Sequence, residues 1–436
     1  MMKSKIFGLT TAIALSMIAA GGLWAQDLKF DGYLNSGLGV VADDNEDNDA
    51  YVKAFGVDSE SNGYRFRLSG SYTNEAKNAG VRLRLQGQRR IDVSGYFSMP
   101  YAYGWVSFFD NIITVTGGIV DDGAWTTADW WWNDDQGEGL GLLLKAEPVK
   151  GLLLGIGAYT ISQQSGGNNN ILSVSGALPN FRDVALRPED AKYTFNAAYT
   201  MPDTFRLGAS FRTKNRAAWV PAVDNTTTPP TSSYTNDNYP YSGREETSQF
   251  IGEFRLLAVK DLTAVVIGVF DTLEEFSDKG NITLSETFGY KLDSLGLGLN
   301  AVQFLYNRVD ANEDKIDMNP GLLFNLWGSY AFDKLVPRLD LVYFMGGRSK
   351  TVIADKQWER RGFANVAKAK DAEDDYSVFS VRPSIKINVD SRTFLEIGDI
   401  INFDSGTKNG AYKDSGDPDK KSRLTNVFYV DVKFSF

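Results

Sequence analysis

Residues 426–436, NVFYVDVKFSF, alternate between apolar and other side chains up to the last position. One face of this stretch carries five apolar side chains: Phe428, Val430, Val432, Phe434 and Phe436. A repeat of two residues predicts a β-strand with one apolar face. Such a strand must pair along its edges and cover its apolar face, and the rest of the sequence indicates how.

The first 25 residues predict a cleaved secretory signal peptide. Lys3 and Lys5 precede an apolar run that begins at Ile6, and Ala25 supplies a small residue at the cleavage position. An uncleaved membrane-anchor helix is the alternative. No Cys follows the run, so a lipid-anchored form is excluded. We therefore expect an exported protein whose folded part comprises residues 26–436.

The composition excludes several classes of function. The sequence has neither Cys nor His, so it offers no thiolate metal site and no Ser–His relay, and no carboxylate pair stands out as catalytic. Removal of Lys3 and Lys5 with the signal leaves 43 basic against 55 acidic residues, which argues against a nucleic-acid partner. We expect a non-enzyme without metal or cofactor.

The mature sequence repeats one theme, an alternating run followed by a turn or a loop. Each run is close to the ~9–11 residues that a tilted strand needs to cross a bilayer, and beyond the signal no apolar run is long enough for a membrane helix. The predicted strands are 28–40, 61–73, 80–88, 100–109, 112–120, 138–147, 151–161, 191–200, 204–213, 248–257, 261–271, 281–291, 295–306, 320–332, 336–347, 376–388, 392–403 and 424–436.

The connections alternate between short and long. After every even-numbered strand the chain turns within a few residues, at segments such as FDN, MPD, VKD, LDS, AFDK and VDS. After the odd-numbered strands the connections are mostly long and polar. Short periplasmic turns and long outer loops are typical of an outer-membrane barrel. The sequence therefore predicts an all-β, antiparallel, up-and-down transmembrane barrel of about 18 strands, with both chain ends on the periplasmic side.

The polar faces of the predicted strands carry many arginines. A soluble sandwich also alternates, but the signal, the turn parity and the aromatic residues near strand ends (Tyr33, Tyr199, Tyr330, Phe332) favour a barrel with its polar face inside. Open strand edges are costly in hydrocarbon, so the last strand must pair with the first. The predicted pore-lining residues are Arg65, Arg67, Arg82, Arg84, Gln86, Arg206, Arg212 and Arg382.

Three strands fit this pattern less well. The strand at 261–271 is apolar on both faces, Glu286 falls on the predicted outer face, and alternation is lost at Asn300. If two of these strands are wrongly assigned, the barrel has sixteen strands, so both counts stay open.

The third long loop, 121–137, combines acids with Trp side chains that need a surface to rest on. We expect it to fold into the lumen and to narrow the bore, opposite the arginines of 61–73 and 80–88, so that a transverse field crosses the constriction. Solvation of an outer surface is the alternative role of these acids. The candidate constriction residues are Asp121, Asp122, Asp129, Asp134, Asp135 and, at the start of the next strand, Glu138.

Three segments, RFRLSGSYTN, AGVRLRLQGQ and YAYGWVSFFDNIITVTGGIVDDG, together with the terminal Phe436, resemble the general Gram-negative porins. The resemblance covers roughly residues 28–140, and the LWAQ end of the signal resembles spirochaete outer-membrane proteins. It implies a passive diffusion channel, often trimeric, with Arg65, Arg67, Arg82 and Arg84 facing acids of the third loop. This sequence departs from those porins in three ways: no arginine follows Gly117-Gly118, two strands exceed sixteen, and the third loop is rich in Trp.

We expect an outer-membrane porin that passes small hydrophilic solutes and ions. Its expected partners are outer-membrane lipid, the barrel-assembly machinery and, as one assembly, two further copies in a homotrimer. Two alternatives stay open: a surface adhesin or plugged barrel, and a channel for more hydrophobic substrates, suggested by inward apolar residues such as Leu143, Leu153 and Val265.

Overall fold

A computed structural model gives the fold of the chain. The structure describes residues 28–43, 50–55, 65–88, 96–120, 139–160, 191–213, 223–224, 231–232, 248–272, 280–307, 321–345, 372–407 and 422–436. The predicted signal peptide and the third long loop lie outside these residues. Within the described ranges, no helix is long and apolar enough to cross a membrane.

The described residues form strands joined by turns. In chain order the strands are β1 (Leu28–Asp43), β2 (Tyr51–Phe55), β3 (Arg65–Thr73), β4 (Ala79–Gln88), β5 (Tyr96–Phe108), β6 (Ile113–Val120), β7 (Gly139–Val149), β8 (Leu152–Thr160), β9 (Ala191–Met201), β10 (Phe205–Arg212), β11 (Val223–Asp224), β12 (Thr231–Ser232), β13 (Gln249–Leu256), β14 (Leu262–Thr272), β15 (Gly280–Leu292), β16 (Leu295–Asn307), β17 (Gly321–Tyr330), β18 (Leu335–Met345), β19 (Ala372–Asn388), β20 (Thr393–Thr407) and β21 (Ser422–Ser435).

Nineteen of these strands form one antiparallel sheet, and β11 and β12 form a separate two-stranded sheet. Both β2 and β3 pair with β1, β2 along residues 37–41 and β3 along residues 28–35. They therefore occupy one position in the sheet. The result is a closed barrel of eighteen strand positions, which confirms the predicted count and shows that the alternative of sixteen is wrong.

The first and last strands close the barrel. β1 and β21 pair antiparallel from Tyr33–Ser435 to Asp43–Thr425. Beyond that ladder, Gly32 and Phe436 exchange two backbone hydrogen bonds of 3.0 Å. A Cβ at Gly32 would lie 2.7 Å from the Phe436 ring, so the close approach requires glycine. The predicted pairing of the last strand with the first is confirmed.

In five of the short turns an aspartate adopts a left-handed backbone conformation. Asp110, Asp203, Asp261, Asp293 and Asp333 all have positive φ, between 49° and 61°. Asp tolerates this left-handed conformation because its short side chain can hydrogen-bond locally. The FDN, MPD, VKD, LDS and AFDK segments thus reverse the chain at one end of the barrel, which we call the turn end; the opposite end is the loop end.

Side-chain burial separates the two faces of the wall. On β21, Phe428 and Phe434 are 48% and 49% exposed, whereas Asp431 is fully buried. The exposed face is apolar around the barrel, and the opposite face holds most of the polar groups. This is the arrangement of a barrel in lipid, with its apolar band outside.

Several strands extend beyond their predicted bounds. The predicted loop 41–60 contains β2, and β5, β19 and β20 are longer than the sequence indicated. All these extensions lie at the loop end, where the ladders continue past the length needed to span a bilayer.

Candidate functional site

The strongest candidate site is a row of arginines on the inner face of β3 and β4. Register places Ser69 opposite Arg84, Arg67 opposite Gln86, and Ser71 opposite Arg82. Arg67 Nε donates to Gln86 Oε1 at 2.6 Å, and Arg84 Nε to Ser69 Oγ at 3.4 Å. Alternation within each strand and the hairpin register between them thus bring the predicted lining residues of these strands into one surface.

Aromatic rings support this row. The guanidinium carbons of Arg82 and Arg84 lie 5.3 and 4.7 Å from the ring centroid of Tyr101, and that of Arg67 lies 5.7 Å from the ring of Tyr33. Tyr101 is buried and contacts Tyr103. Guanidinium groups stack favourably on aromatic faces. We call this surface, formed by β3, β4 and β5, the arginine wall.

The arginine wall has a strongly basic character. The described residues of β3, β4 and β5 include no acidic side chain on the inner face. Arg82 is exposed and Arg84 half-buried, while Arg65 lies deeper, at 7% exposure. Arg82 and Arg84 lie closer to the turn end of the barrel than Arg65 does.

A second charged surface, which we call the glutamate wall, lies on β10 and β13. Its centre is Glu253, whose side chain is fully buried. Glu253 Oε1 lies 3.8 Å from Arg206 Nε and 3.3 Å from Arg255 Nε. Two arginines therefore share one carboxylate, so this wall carries much less net charge than its arginine content suggests.

A third polar cluster lies on β17 to β21. Arg338 donates to both oxygens of Asp340, at 2.6 and 2.7 Å, and stacks 4.5 Å from the Trp327 ring. Tyr429 donates to Glu396 at 2.9 Å. Such two-pronged arginine–carboxylate pairs are strong and geometrically specific. Their charges largely offset each other.

The other predicted lining residues also lie on the inner face, but in different surroundings. Arg206 belongs to the glutamate wall, Arg212 is 4% exposed, and Arg382 lies opposite Asp340 in the ladder. The sequence predicted one shared role for these arginines and those of the arginine wall, whereas the structure places them on different parts of the inner face. Their role in lining a pore stays a prediction.

Sequence reasoning did not single out Glu253, Asp340 or Tyr101. Glu253 shares one side of β13 with Arg255, and Asp340 shares one side of β18 with Arg338, so parity would have placed both pairs on one face. The contact of Glu253 with Arg206 and the position of Tyr101 beside Arg84 depend on cross-strand register, which the sequence does not specify directly.

Apolar side chains also occupy part of the inner face. Leu143 is fully buried, and Ile251, Val265, Ile267 and Val269 form a buried cluster beside the glutamate wall. This arrangement explains why the strand at 261–271 is apolar on both faces. Because these residues are no more than 6% exposed, they offer little surface to a solute.

The remaining predictions fall in two groups. The candidate constriction residues 121–138 lie outside the described residues. The apolar residues of the C-terminal strand lie on the outer face, with Phe436 next to Phe66 at 6.4 Å between ring centroids. Within the described ranges, no cluster of three or more acidic residues could hold a metal ion.

The fold is similar to that of solved outer-membrane porins. OpdL of Pseudomonas aeruginosa matches with a TM-score of 0.52 and 10% identity, over 94% of this chain and 99% of that one. OccK2 (OpdF) of the same organism, in complex with glucuronate, matches with a TM-score of 0.51 and 12% identity, over 94% and 98%. OpdK with vanillate matches with a TM-score of 0.51 and 10% identity, over 94% and 99%.

No protein-family model and no curated protein matches the sequence. At 10–12% identity, the similarity to these solved structures shows the barrel fold alone.

Proposed function

We propose that this protein is an outer-membrane channel for passive diffusion of small hydrophilic solutes, with a preference for those that carry a carboxylate. The arginine wall is the observation that carries this proposal. Its four guanidinium groups belong to one inner surface, and three of them lie over aromatic rings. A fixed, planar guanidinium suits a carboxylate because it can donate two parallel hydrogen bonds.

The solutes bound by two structural neighbours suggest the probes. Glucuronate and vanillate, present in the OccK2 and OpdK structures, are both carboxylates. Liposome swelling with glucuronate and with glucose compares solutes of similar size that differ by one charge. We expect faster entry of glucuronate, and equal rates would contradict the preference while leaving the channel intact.

Planar-bilayer recording in a salt gradient tests the channel itself. We expect stepwise, ohmic openings with a reversal potential on the anion side. Absence of steps in a correctly folded protein would overturn the channel and favour a plugged barrel or an adhesin. The hydrophobic-substrate alternative gains little from the structure, since the inner apolar cluster is buried.

We further propose that the bore narrows at the loop end and that residues 121–137 contribute to the constriction. Inner-face residues next to that stretch, Val120 and Leu143, are at most 1% exposed, as is Val378 on the far side. Arg82, nearer the turn end, is exposed. Replacement of the Trp residues 130–132 by Ser should raise single-channel conductance, and unchanged conductance would exclude this stretch from the constriction.

Export completes the proposal. Residues 1–25 direct secretion and are removed, and the barrel-assembly machinery inserts the chain into outer-membrane lipid through the C-terminal strand. The outward row that ends in Phe436 supports this role, since it pairs with β1 to close the barrel. Mass spectrometry of the exported protein should find Gln26 at its N-terminus, and an intact Met1 would contradict cleavage.

A further inference from the structure

Three aromatic side chains form a row along the inner face of β5. Tyr101, Tyr103 and Trp105 alternate with Ala102 and Gly104, and successive ring centroids in the row are 5.8 and 6.4 Å apart. Residues two apart on a strand share one face, so the row follows the wall in the direction of the bore. We call these three residues the aromatic row.

The alternation on this part of β5 is the reverse of that on other membrane strands. The large rings point into the barrel, and the small Ala102 and Gly104 point outward. On β21, by contrast, Phe428 and Phe434 point outward and Asp431 points inward. A barrel in lipid places its large apolar side chains outside. Membrane insertion therefore does not explain why the rings of the aromatic row lie on the inner side.

The rings of the aromatic row become more accessible towards the turn end. Tyr101 is 2% exposed, and the guanidinium groups of Arg82 and Arg84 lie over it. Tyr103 and Trp105 are half-buried. No cation among the described residues lies over the Trp105 ring. The row thus begins beneath two charges of the arginine wall and ends in an indole that these charges do not cover.

Trp105 lies against the wall over Gly80, its partner in the β4–β5 ladder. A Cβ at Gly80 would lie 2.5 Å from Trp105 Cη2, so the indole occupies the space that a side chain on β4 would take. Gly80 and Arg82 are neighbours on one face of β4, with their Cα atoms about 7 Å apart. Arg82 is exposed, so the indole and an accessible guanidinium belong to adjacent positions of the same inner surface.

Trp327 provides a comparison within the same molecule, because it and Trp105 are the two tryptophans among the described residues. Trp327 lies over Gly298 of β16, where a Cβ would lie 2.5 Å from its Nε1. The guanidinium carbon of Arg338 lies 4.5 Å from the Trp327 ring centroid, and Asp340 accepts two hydrogen bonds from that guanidinium. The Trp327 ring is therefore covered by a cation of the chain itself, whereas the Trp105 ring is not.

We infer that Trp105 is a specificity-determining residue, on which the ring of a solute stacks while the carboxylate of that solute binds Arg82 or Arg84. An aromatic face offers a large apolar contact to a rigid ring. An open-chain solute must give up rotational freedom to make the same contact, which reduces its gain in binding free energy. The preferred solute is therefore a carboxylate carried on a ring, and this inference rests on the proposed carboxylate preference.

Block of the ion current in planar bilayers tests this inference. Glucuronate and gluconate have the same number of carbon atoms and one carboxylate each, but glucuronate is a ring and gluconate is an open chain. We expect glucuronate to half-block the wild-type current at a concentration about fivefold lower than gluconate does. Equal half-blocking concentrations, or no block by glucuronate, would overturn the inference.

Variants at the two tryptophans assign the preference to one indole. Trp105→Leu should remove the difference between the two solutes by weakening the block by glucuronate alone, and Trp105→Phe, which keeps a ring, should retain most of it. Trp327→Leu is the matched control and should leave the difference unchanged. Trp105→Thr takes the place of Trp105→Leu if the latter forms no channels. A wild-type difference in the Leu or Thr variant at position 105, or its loss in Trp327→Leu, would overturn the inference.

Failure of this inference is distinguishable from failure of the proposed function. Swelling rates with glucuronate and glucose report the carboxylate preference of each variant, because both solutes are rings. If glucuronate enters faster than glucose but blocks the current no better than gluconate, the role of Trp105 is wrong and the proposed function stands. If glucose enters as fast as glucuronate, the carboxylate preference and the role of Trp105 are both wrong.

Discussion

Both the arginine wall and the glutamate wall contain arginines, but the side chains next to these arginines differ. On the arginine wall, Arg82 and Arg84 lie over the Tyr101 ring, and the inner face of β3 to β5 lacks acids among its described residues. On the glutamate wall, two arginines flank the buried Glu253. The sign of the charge on the bore wall therefore depends on the neighbours of each arginine along and across the strands. Neither the number of arginines nor the net charge of the chain, −10, describes it.

Removal of Glu253 should have the largest effect. Glu253→Ala leaves two half-buried arginines without their carboxylate, and we expect the free energy of unfolding to fall by about 2 kcal/mol. Urea unfolding in detergent measures this change. Glu253→Gln keeps the shape and should make the pore more anion-selective; if neither variant changes stability or selectivity, the two walls do not differ as described.

Loss of the exposed arginines should have the next largest effect. Replacing Arg82 and Arg84 with Ala removes two charges from the bore wall, and we expect the anion-to-cation permeability ratio to fall about fivefold, or ~1 kcal/mol. Reversal potentials in a salt gradient measure it. Lys at both positions keeps the charge and serves as the control. An unchanged reversal potential in the Ala variant would remove the arginine wall from the conduction path.

Loss of the aromatic support should have a smaller effect. Tyr101→Leu removes the ring beneath both guanidinium groups and should weaken their positioning by about 0.5–1 kcal/mol, seen as slower glucuronate entry in swelling assays. Tyr101→Phe is the control, because the Tyr101 hydroxyl is buried without a hydrogen-bond partner among the described residues. We expect that variant to be neutral or slightly more stable. Equal glucuronate entry rates for Tyr101→Leu and the wild type would show that stacking on Tyr101 does not position the guanidinium groups for the solute.

Removal of a carboxylate that lies outside both walls should have the smallest effect. Asp390, in the turn between β19 and β20, accepts hydrogen bonds from the backbone N–H groups of Arg392 and Thr393 at 2.7 and 2.8 Å. The Arg392 bond is the main cause that lowers the pKa of Asp390 below its ordinary value.

Because the folded pKa of Asp390 is depressed, the stabilisation is present above the ordinary pKa and disappears as the pH falls through the folded value. Asp390→Ala should therefore slightly lower the unfolding midpoint at pH 7 and not in strong acid, with selectivity unchanged. Thermal melts at both pH values measure this difference; a change in selectivity would show that charge far from the walls controls the bore.

Much of the fold could be predicted from the sequence because alternation and turn chemistry are local. The period of two in β3 and β4 placed four arginines on one face, and Asp residues in tight turns marked the hairpins. The contact of Glu253 with Arg206 and the support from Tyr101 could not be predicted in the same way, whereas Arg255 lies two residues from Glu253 on the same strand. They depend on which residue lies opposite which across the ladder. On β14 both faces are apolar, so the sequence does not indicate which side chains point inward.

The closing ladder has a kinetic consequence. Apart from the β1–β21 ladder, each barrel pairing joins strands that are close along the chain; the pairs β1–β3 and β10–β13 skip the short strands between them. Asn35 and Asp431, hydrogen-bonded at 2.7 Å across that ladder, lie 396 residues apart, whereas Arg67 and Gln86 lie 19 apart. Loop-closure entropy makes the distant encounter about 3 kcal/mol more costly than the local one. Hairpins should therefore add rapidly one to the next, and the ring should seal last, as the slow step of folding.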